Sequence, residues 1–273
     1  MRSRSFPGEA LLRALCLCLL LGTVAGCTGS DADAPPPELP PEELYSQGQA
    51  YLAEANFREA AKSFEEVERQ HPYSQWATRG QIMAAYAYYE SNQYEESVAA
   101  SERFIELHPG NKDVPYAYYL MGMCYYEQIS DVGRDQEFTQ KAQDSFSELI
   151  RRYPDSDYSR DAELKVDLIR DHLAGKEMQI GRYYQRHKLW LAAINRFQAV
   201  VENYQTTTHV PEALHRLTES YLALGMTQEA QASAAVLGYN FPGNEWYERS
   251  YALLQNQQLQ PKQSEGFWLS RVF

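Results

Sequence analysis

The sequence predicts an all-α fold, a solenoid built from five similar pairs of helices. Five related strings mark the unit ends: RQHPYS at Pro72, ELHPGN at Pro109, RRYPDS at Pro154, ENYQTT at Gln205 and YNFPGN at Pro242. Twelve residues before each of these anchors stands a small residue, and five residues before each stands a large apolar one. Eight residues before, three of the units have phenylalanine. Residues three and four apart share one face of a helix, so each unit should contain an amphipathic helix that ends near its anchor.

A second helix precedes this one in each unit. With the anchor counted as position 32, position 8 is small and position 11 is tyrosine. The third unit fits once an eight-residue insertion before its second helix is allowed. The residues are Gly48, Ala85, Gly122, Gly181 and Thr218 at position 8, and Tyr51, Tyr88, Tyr125, Tyr184 and Tyr221 at position 11. The pattern resembles the tetratricopeptide repeat of about 34 residues. The resemblance implies a right-handed superhelical solenoid of five tetratricopeptide repeats.

These repeats divide most of the chain. Repeats 1 to 3 occupy residues 41–156, with the insertion in the third, and a linking helix follows over 157–173. Repeats 4 and 5 occupy 174–244. Residues 245–273 should form a capping helix and a tail, because the last repeat of a solenoid otherwise exposes its apolar surface.

Residues 1–26 have the features of an export signal. A basic start is followed by an apolar run over 14–25, shorter than the roughly 20 apolar residues that span a bilayer. The next residues, Val24-Ala25-Gly26-Cys27, resemble the lipobox of bacterial lipoproteins. The resemblance implies an N-acyl and S-diacylglycerol lipid on Cys27, and two or more acyl chains anchor a protein stably. The alternative is an ordinary secretory signal with a chance cysteine.

The residues behind the predicted lipid anchor are expected to form a tether, and the chain without its export signal is strongly acidic. Residues 27–43 contain five prolines and no apolar cluster, which predicts an extended tether behind the acylated cysteine. Removal of the export signal takes away three positive charges and one negative charge from a chain of net charge −12, leaving −14. Such an acidic chain is a poor ligand for nucleic acid or anionic lipid, so protein partners are expected. Cys124 alone remains besides Cys27, and we expect it to be buried.

A groove lined by tyrosine is predicted in the first three repeats. In the first helix of each unit, positions 4, 8 and 11 form one stripe and positions 2, 5, 9 and 12 form another, roughly 130° away. The first stripe, which includes Tyr118 and Tyr125, should pack in the core. In tetratricopeptide domains the second stripe generally lines a peptide groove. By that resemblance the groove residues are Tyr45, Tyr86, Tyr89, Tyr116, Tyr119 and Tyr126. The alternative is that these tyrosines are also core.

Repeats 4 and 5 carry polar residues at the equivalent positions. Arg182 and Arg186 lie one helical turn apart, and we expect them to pair with carboxylates of a docking partner. The alternative is a solvated face. The sequence contains no H-E-x-x-H, G-x-S-x-G, P-loop or glycine-rich dinucleotide turn, and its histidines lack metal-ligand spacing. We therefore expect no enzyme, no metal and no cofactor other than the lipid.

Several segments are similar to one family of repeat lipoproteins. YSRDAELKVDLIRDHLA, RYYQRHKLWLAAINRF and AYAYYESNQYEESVAASERFIELHPGN, together with the lipobox, tether and insertion, resemble the BamD family of outer membrane assembly lipoproteins. The resemblance implies a place at the periplasmic face of the outer membrane. It also implies that early repeats receive the carboxyl-terminal signals of unfolded outer membrane proteins. Late repeats would dock on the periplasmic domains of a BamA-like β-barrel protein, and other Bam lipoproteins are further candidate partners.

Two points stay open at this stage. The alternative function is that of another tetratricopeptide lipoprotein, one that coordinates cell-wall synthesis and envelope constriction or pilus assembly. The tail GFWLSRVF, residues 266–273, is aromatic and ends in Phe273, which gives the hypothesis that it occupies the chain's own groove. The alternative is a tail that packs on the last helix or stays mobile.

Overall fold

The structure is a computed structural model that describes residues 38–262 and 268–271. Within these ranges it contains eleven α-helices, one short 3₁₀ helix and no strand. The export signal, Cys27 and most of the predicted tether lie outside the described residues. None of the described helices combines the length and the apolar character needed to cross a bilayer.

The helices follow one another closely along the chain. They are α1 (Pro41–Ala53), α2 (Phe57–Gln70), α3 (Gln75–Glu90), α4 (Tyr94–Leu107), α5 (Val114–Tyr126), α6 (Glu137–Arg152), α7 (Asp157–Arg186), α8 (Trp190–Asn203), α9 (Val210–Ala223), α10 (Thr227–Asn240), α11 (Glu245–Asn256) and the 3₁₀ helix η1 (Trp268–Arg271).

Five consecutive helix pairs form the predicted repeats, and the expected all-α solenoid is confirmed. The pairs are α1 with α2, α3 with α4, α5 with α6, the second half of α7 with α8, and α9 with α10. Each helix also packs against the next pair, and α11 covers α9 and α10 at the end of the array. The residues predicted twelve and five positions before the anchors are all buried.

Four of the helix pairs turn through the same backbone device. The second residue after the first helix adopts a left-handed conformation, with φ of 55° at Ala55, 59° at Asn92 and Lys188, and 74° at Gly225. The next N–H then donates to the carbonyl of the position-11 tyrosine, as from Asn56 to Tyr51 at 2.8 Å. This hydrogen bond satisfies a carbonyl that the helix end would leave free.

The capping helix ends in the same way as the first helix of a repeat. Gln258 has a φ of 60°, and the N–H of Leu259 donates to the carbonyl of Leu254 at 2.9 Å. Leu254 is fully buried, as the position-11 residue Tyr221 nearly is. We therefore describe α11 as the first helix of an incomplete sixth repeat.

The two helices of a pair meet where position 8 has no side chain. Position 24, eight residues before the anchor, is phenylalanine in repeats 1, 3 and 4. In these repeats a Cβ built on the position-8 glycine would lie 2.6, 2.4 or 2.5 Å from the nearest carbon of that phenylalanine ring. These distances are shorter than van der Waals contact. The pairs are Gly48 with Phe64, Gly122 with Phe146, and Gly181 with Phe197. All three phenylalanine rings are completely buried.

Repeats 2 and 5 have the opposite distribution of size at these positions. There position 8 is Ala85 or Thr218, and position 24 is Ser101 or Ala234; all four residues are buried. A larger residue on the first helix is thus accompanied by a smaller one on the second. The two positions share one space, as expected for interiors packed to crystal-like density.

The insertion in repeat 3 lies against the second half of α7. With 30 residues, α7 extends past the end of α5, and the inserted loop packs beside this extension. The Lys176 ammonium donates to the carbonyls of Gly133 and Arg134 at 3.0 and 3.1 Å. A Cβ built on Gly175 would lie 3.9 Å from Val132. The long helix and the insertion therefore belong to one structural feature.

The described part of the tail packs on repeats 4 and 5. Leu269 of η1 is fully buried and belongs to the same apolar cluster as Leu237. Trp268 forms a side-chain hydrogen bond with Tyr221, whose hydroxyl also accepts from Gln198 at 3.1 Å. These tail residues lie in the repeat 4 and 5 core and not among the predicted groove tyrosines. Cys124 is buried as expected, and burial raises the pKa of its thiol to about 11.

The glycine and phenylalanine contact predicts a strong effect for one methyl group. Gly122→Ala should lower the free energy of unfolding by about 1–3 kcal/mol, because overpacking against Phe146 outweighs the roughly 1 kcal/mol gain in helix propensity. Urea denaturation followed by circular dichroism measures the change.

The matched control is Gly110→Ala, where a built Cβ meets nothing within 4 Å. Adding Phe146→Leu to Gly122→Ala should restore part of the loss. Equal stability of Gly122→Ala and the wild type would show that the helices can separate without cost.

Candidate peptide groove and docking surface

The six predicted groove tyrosines lie on the first helices of repeats 1 to 3. All six are half-buried, with neither fully exposed nor fully buried rings. Five of them, Tyr86, Tyr89, Tyr116, Tyr119 and Tyr126, line neighbouring parts of α3 and α5, and we call this set the tyrosine groove. The sixth, Tyr45, packs between Phe64 and Trp76, with ring centroids 5.3 and 5.0 Å away.

The first turn of α7 contributes an aromatic side chain to the same surface. The ring of Tyr158 lies 5.2 Å from the ring of Tyr116 and 5.4 Å from that of Tyr119. Tyr158 remains 39% exposed. Three tyrosines from two helices thus form a continuous aromatic patch that solvent still reaches.

Charged side chains hold the groove hydroxyls and rings in place. The Tyr119 hydroxyl donates to Asp161 at 2.6 Å, and the Tyr89 hydroxyl donates to Glu127 at 3.5 Å. The Lys165 ammonium lies 5.1 Å from the centroid of the Tyr126 ring, within the range of a cation–π contact. Each of these three tyrosines is therefore oriented by a charge at the rim.

Burial and neighbouring acids keep the groove hydroxyls protonated. Burial, and then the Glu127 carboxylate, raise the pKa of Tyr89 to about 12. Burial, and then the hydrogen bond to Asp161, raise the pKa of Tyr119 further. Burial also raises the pKa of Tyr116. At neutral pH the groove therefore offers neutral phenols, each with an apolar face and a hydrogen-bonding hydroxyl.

The tyrosines that were expected to be core are half-buried as well. Tyr118 packs against Tyr153 at 6.1 Å with the Arg152 guanidinium over its ring. Tyr125 stacks on Phe138 at 6.5 Å with Lys141 over both rings. The prediction that Tyr118 and Tyr125 are core holds in part: neither is fully buried, but both pack against the buried cluster that contains Phe146. The groove residues Tyr119 and Tyr126 also contact Phe146, at 5.9 and 6.4 Å.

Periodicity in the sequence did not predict Tyr158, Asp161 or Lys165 as groove residues. These residues lie in the linking segment, outside the repeat period. A local sequence pattern could have identified Tyr158, which stands two residues after the helix N-cap Ser156. The Ser156 hydroxyl accepts from the Tyr158 N–H at 3.3 Å. The same spacing from cap to aromatic residue occurs at α3 with Trp76 and at α11 with Trp246. In all three helices the aromatic ring contacts the preceding first helix or its equivalent.

A polar network occupies the equivalent surface of repeats 4 and 5. The Arg182 guanidinium pairs with Glu212 at 3.0 Å. Arg216 bridges Glu212 and Glu219 at 3.2 and 2.9 Å. The Glu219 carboxylate also accepts from the Gln185 amide at 3.1 Å. Arg182, which was predicted to pair with a carboxylate of a docking partner, therefore pairs with a carboxylate of its own chain.

His215 and Trp246 extend this network onto the capping helix. His215 is buried, and its Nδ1 lies 2.9 Å from the Ser250 hydroxyl, while its Nε2 lies 3.6 Å from Glu219. Its ring stacks on Trp246 at 5.2 Å, which also contacts the Arg249 guanidinium at 4.6 Å. The network thus joins α9 to α11.

Arg186, the second predicted docking residue, lies at an exposed turn between α7 and α8. His187 and Lys188 follow it and are also exposed. Beside them Tyr183, Leu189 and Leu191 are exposed to 51, 52 and 67%. No acidic residue occurs between Glu177 and Glu202. We call Tyr183, Arg186, His187, Lys188, Leu189 and Leu191 the basic tip.

The described residues contain no group of three or more histidine, cysteine or acidic side chains that could hold a metal ion. The chemistry that the groove and the tip present is hydrogen bonding, aromatic contact and positive charge. These are properties of surfaces that bind peptides and proteins.

The network around Glu219 predicts a pH-dependent stability. Burial alone would raise the pKa of Glu219, but the contacts with His215 and Arg216 lower it from 4.5 to about 2. Its ionised form therefore stabilises the fold above about pH 5, and this contribution disappears as pH falls towards 2. Glu219→Gln should lower the free energy of unfolding at pH 7 on the order of 1 kcal/mol, after discounting for partial exposure.

The measurement is urea denaturation of both proteins between pH 7 and pH 3. The difference between them should shrink as pH falls, and Glu248→Gln on the exposed face of α11 is the control. A difference that is constant with pH would contradict the assignment.

The comparisons with known proteins identify the family of the chain. The family model described as outer membrane lipoprotein matches residues 37–237. The outer membrane protein assembly factor BamD of Caulobacter vibrioides is 48% identical over 94% of this chain and 85% of its own length. BamD of Rickettsia prowazekii is 44% identical over 91% of this chain and 99% of its own.

More distant relatives give the same name. BamD of Neisseria meningitidis serogroup A is 35% identical over 74% of this chain and 79% of its own length. Among solved structures, the TPR2AB domain of yeast Sti1 aligns over 80% of this chain and 84% of its own with 14% identity and a TM-score of 0.42. From the family match and these levels of identity, the chain belongs to the BamD family of outer membrane protein assembly factors.

Proposed function

We propose that the chain is a lipid-anchored, periplasm-facing scaffold of the β-barrel assembly machinery, which binds a BamA-like protein and the carboxyl-terminal signals of unfolded outer membrane proteins. Its family membership makes it an outer membrane protein assembly factor of the Bam complex, associated with the outer membrane. The family and the fold favour a scaffold without enzymatic activity. They do not favour the alternative role in wall synthesis or pilus assembly.

The observation that carries the proposal is the aromatic patch of the half-buried Tyr116 and Tyr119 and the exposed Tyr158. Barrel signals are extended, alternate apolar with polar residues, and commonly end in an aromatic residue. An extended strand places alternate side chains on one face about 6.6–6.8 Å apart. The groove tyrosines offer apolar faces for these side chains and hydroxyls for the polar atoms between them.

The membrane anchor is the second part of the proposal. Acylated Cys27 would hold the chain at the outer membrane, and the tether that follows would let the repeats stand away from the surface. At about 3.1 Å per residue, a polyproline-like tether of this length reaches roughly 50 Å. The mass of the mature amino-terminal peptide, with or without acyl chains on Cys27, decides this point.

The basic tip is the surface that we assign to the BamA-like partner. It combines exposed cations with exposed apolar side chains in a chain that is otherwise acidic, so it is complementary to an acidic surface with apolar neighbours. Lys188 holds a left-handed conformation, which disfavours a lysine by about 1–2 kcal/mol relative to glycine. Ala55 and Asn92 hold the same conformation at the equivalent turns, so a glycine at position 188 would remove the lysine side chain and keep the turn.

The tyrosine groove is tested with a synthetic ten-residue peptide that alternates apolar and polar residues and ends in phenylalanine. Tyr89→Ala and Tyr126→Ala should each weaken binding by about fivefold or more, because an aromatic contact contributes about 1 kcal/mol. Fluorescence anisotropy of the labelled peptide gives the dissociation constants.

The control is Tyr239→Ala, which removes a tyrosine that is 77% exposed on α10 and lies outside the groove. Circular dichroism checks that the variants are folded. Wild-type affinity in both groove variants would reject the groove as the binding site.

The basic tip is tested with the double variant Arg186→Gln and Lys188→Gly. The glycine suits the left-handed turn, so the fold should be retained, while two cations are lost. Affinity for the isolated periplasmic domains of the BamA-like partner should fall about tenfold, mostly at low salt. Biolayer interferometry at two salt concentrations measures this.

Lys112→Gln, an exposed cation between α4 and α5, is the matched control. If the double variant binds the partner as the wild type does, the docking surface lies elsewhere on the chain.

A further inference from the structure

Two adjoining clefts continue the tyrosine groove past the end of α5. The first, of about 340 Å³, lies beside Tyr126 and Glu127. The second, of about 430 Å³, lies between the repeat 3 insertion and α7, and we call it the insertion cleft. Leu168 and His172 line both clefts, and Leu168 is 60% exposed. A chain that leaves the tyrosine groove along α7 therefore meets the insertion cleft next.

Hydrogen-bond donors from two helices converge on the insertion cleft. Gln179 and Arg182 of α7 line it, together with His209. Arg182 uses Nη1 for Glu212, and a guanidinium carries four further N–H donors. The Nε2 atom of His172 is shielded from solvent and has no hydrogen-bond partner among the described residues.

The amino-terminal end of α9 faces the same space. His209 is the N-cap residue of α9, and its side chain makes no capping hydrogen bond. The first turn of a helix carries a partial positive charge. This end therefore adds a partial positive charge beside Arg182, in a cleft that Asp131 and Asp171 also line.

The two carboxylates of the cleft already have donors. Asp171 accepts from the N–H and the hydroxyl of Thr208 at 3.1 and 2.9 Å, and it lies 3.6 Å from Nε2 of His209. Asp131 accepts from the N–H of Gly133 at 2.7 Å. Among the groups left, the remaining N–H donors of Arg182 and the amide N–H of Gln179 match a small anionic acceptor.

Gly175 brings the backbone of α7 against His209 at the cleft wall. A Cβ built on Gly175 would lie 3.2 Å from Nε2 of His209, so any side chain there would press on the imidazole. A substitution at Gly175 would therefore displace His209, which lines the cleft.

We propose that the insertion cleft binds the free α-carboxylate of a peptide whose side chains lie on the tyrosine groove. The inference rests on the proposed peptide-binding function and adds a direction to it. The carboxyl terminus lies between α7 and α9, and the preceding residues run back over Tyr126 towards α3. The repeat 3 insertion then serves as a wall of the terminal site.

The test compares two versions of the ten-residue peptide, one with a free carboxylate and one with a carboxyl-terminal amide. The wild-type chain should bind the amide about tenfold more weakly, since hydrogen bonds to a charged group contribute about 1.5–3 kcal/mol. Gly175→Ala and Gln179→Leu should reduce this preference to about threefold or less. Gly175→Ala improves helix propensity, so its effect is not expected to come from unfolding.

Two variants serve as controls. Arg151→Met removes an exposed cation of α6 that pairs with Glu148 and lies outside both clefts, so the preference should persist. Tyr89→Ala should weaken both peptides by the same factor.

Each result has one reading. Equal affinity for the two peptides in the wild type overturns the terminal site, and the groove itself stands if Tyr89→Ala weakens both. A preference that survives both cleft variants places the carboxylate elsewhere and also overturns the assignment. If neither peptide binds, both the proposed groove and this site are rejected.

Discussion

The close approach of paired helices at position 8 is the constraint on which the rest of the structure depends. Where Gly122 faces Phe146, no atom separates the backbone of one helix from the ring of the other. This contact sets the spacing within a pair, and the spacing within a pair sets where the next first helix can pack. Tyr119 and Tyr126 lie about one helical turn before and after Gly122, and their rings contact the same Phe146 ring at 5.9 and 6.4 Å. The groove therefore takes part of its geometry from the contact between Gly122 and Phe146.

The long helix α7 connects two halves with different surface chemistry. Its first turns complete the tyrosine groove through Tyr158 and Asp161, and its last turns carry Arg182 and the basic tip. Because α7 has 30 residues, its second half extends past the end of α5. The repeat 3 insertion packs against this extension. The two departures from repeat regularity thus compensate each other, and the cleft between them lies at the junction of the two surfaces.

Charge separates the two surfaces along the chain. The groove tyrosines are held by Asp161, Glu127 and Lys165, whereas the tip has cations and no acidic residue nearby. In an acidic chain, a local basic patch beside exposed leucines is complementary to an acidic surface with apolar neighbours. The polar network of repeats 4 and 5 has a different role, because its charges are paired within the chain and join α9 to α11.

The repeat period by itself determined the fold class, the helix pairs and the buried residues at positions 20 and 27, because packing between regular helices depends on spacing alone. It also placed the groove tyrosines on one stripe. The period was uninformative for Tyr158, Asp161 and Lys165, since they lie between repeats. For Tyr118 and Tyr125 it gave the packing face but not the partial burial, because a stripe gives direction around a helix and not depth. Only the tertiary structure decided that Arg182 is paired with Glu212, that Leu269 completes the repeat 5 core, and that the insertion and α7 enclose a cleft. Each of these depends on residues far apart in the chain, whose distances no local pattern specifies.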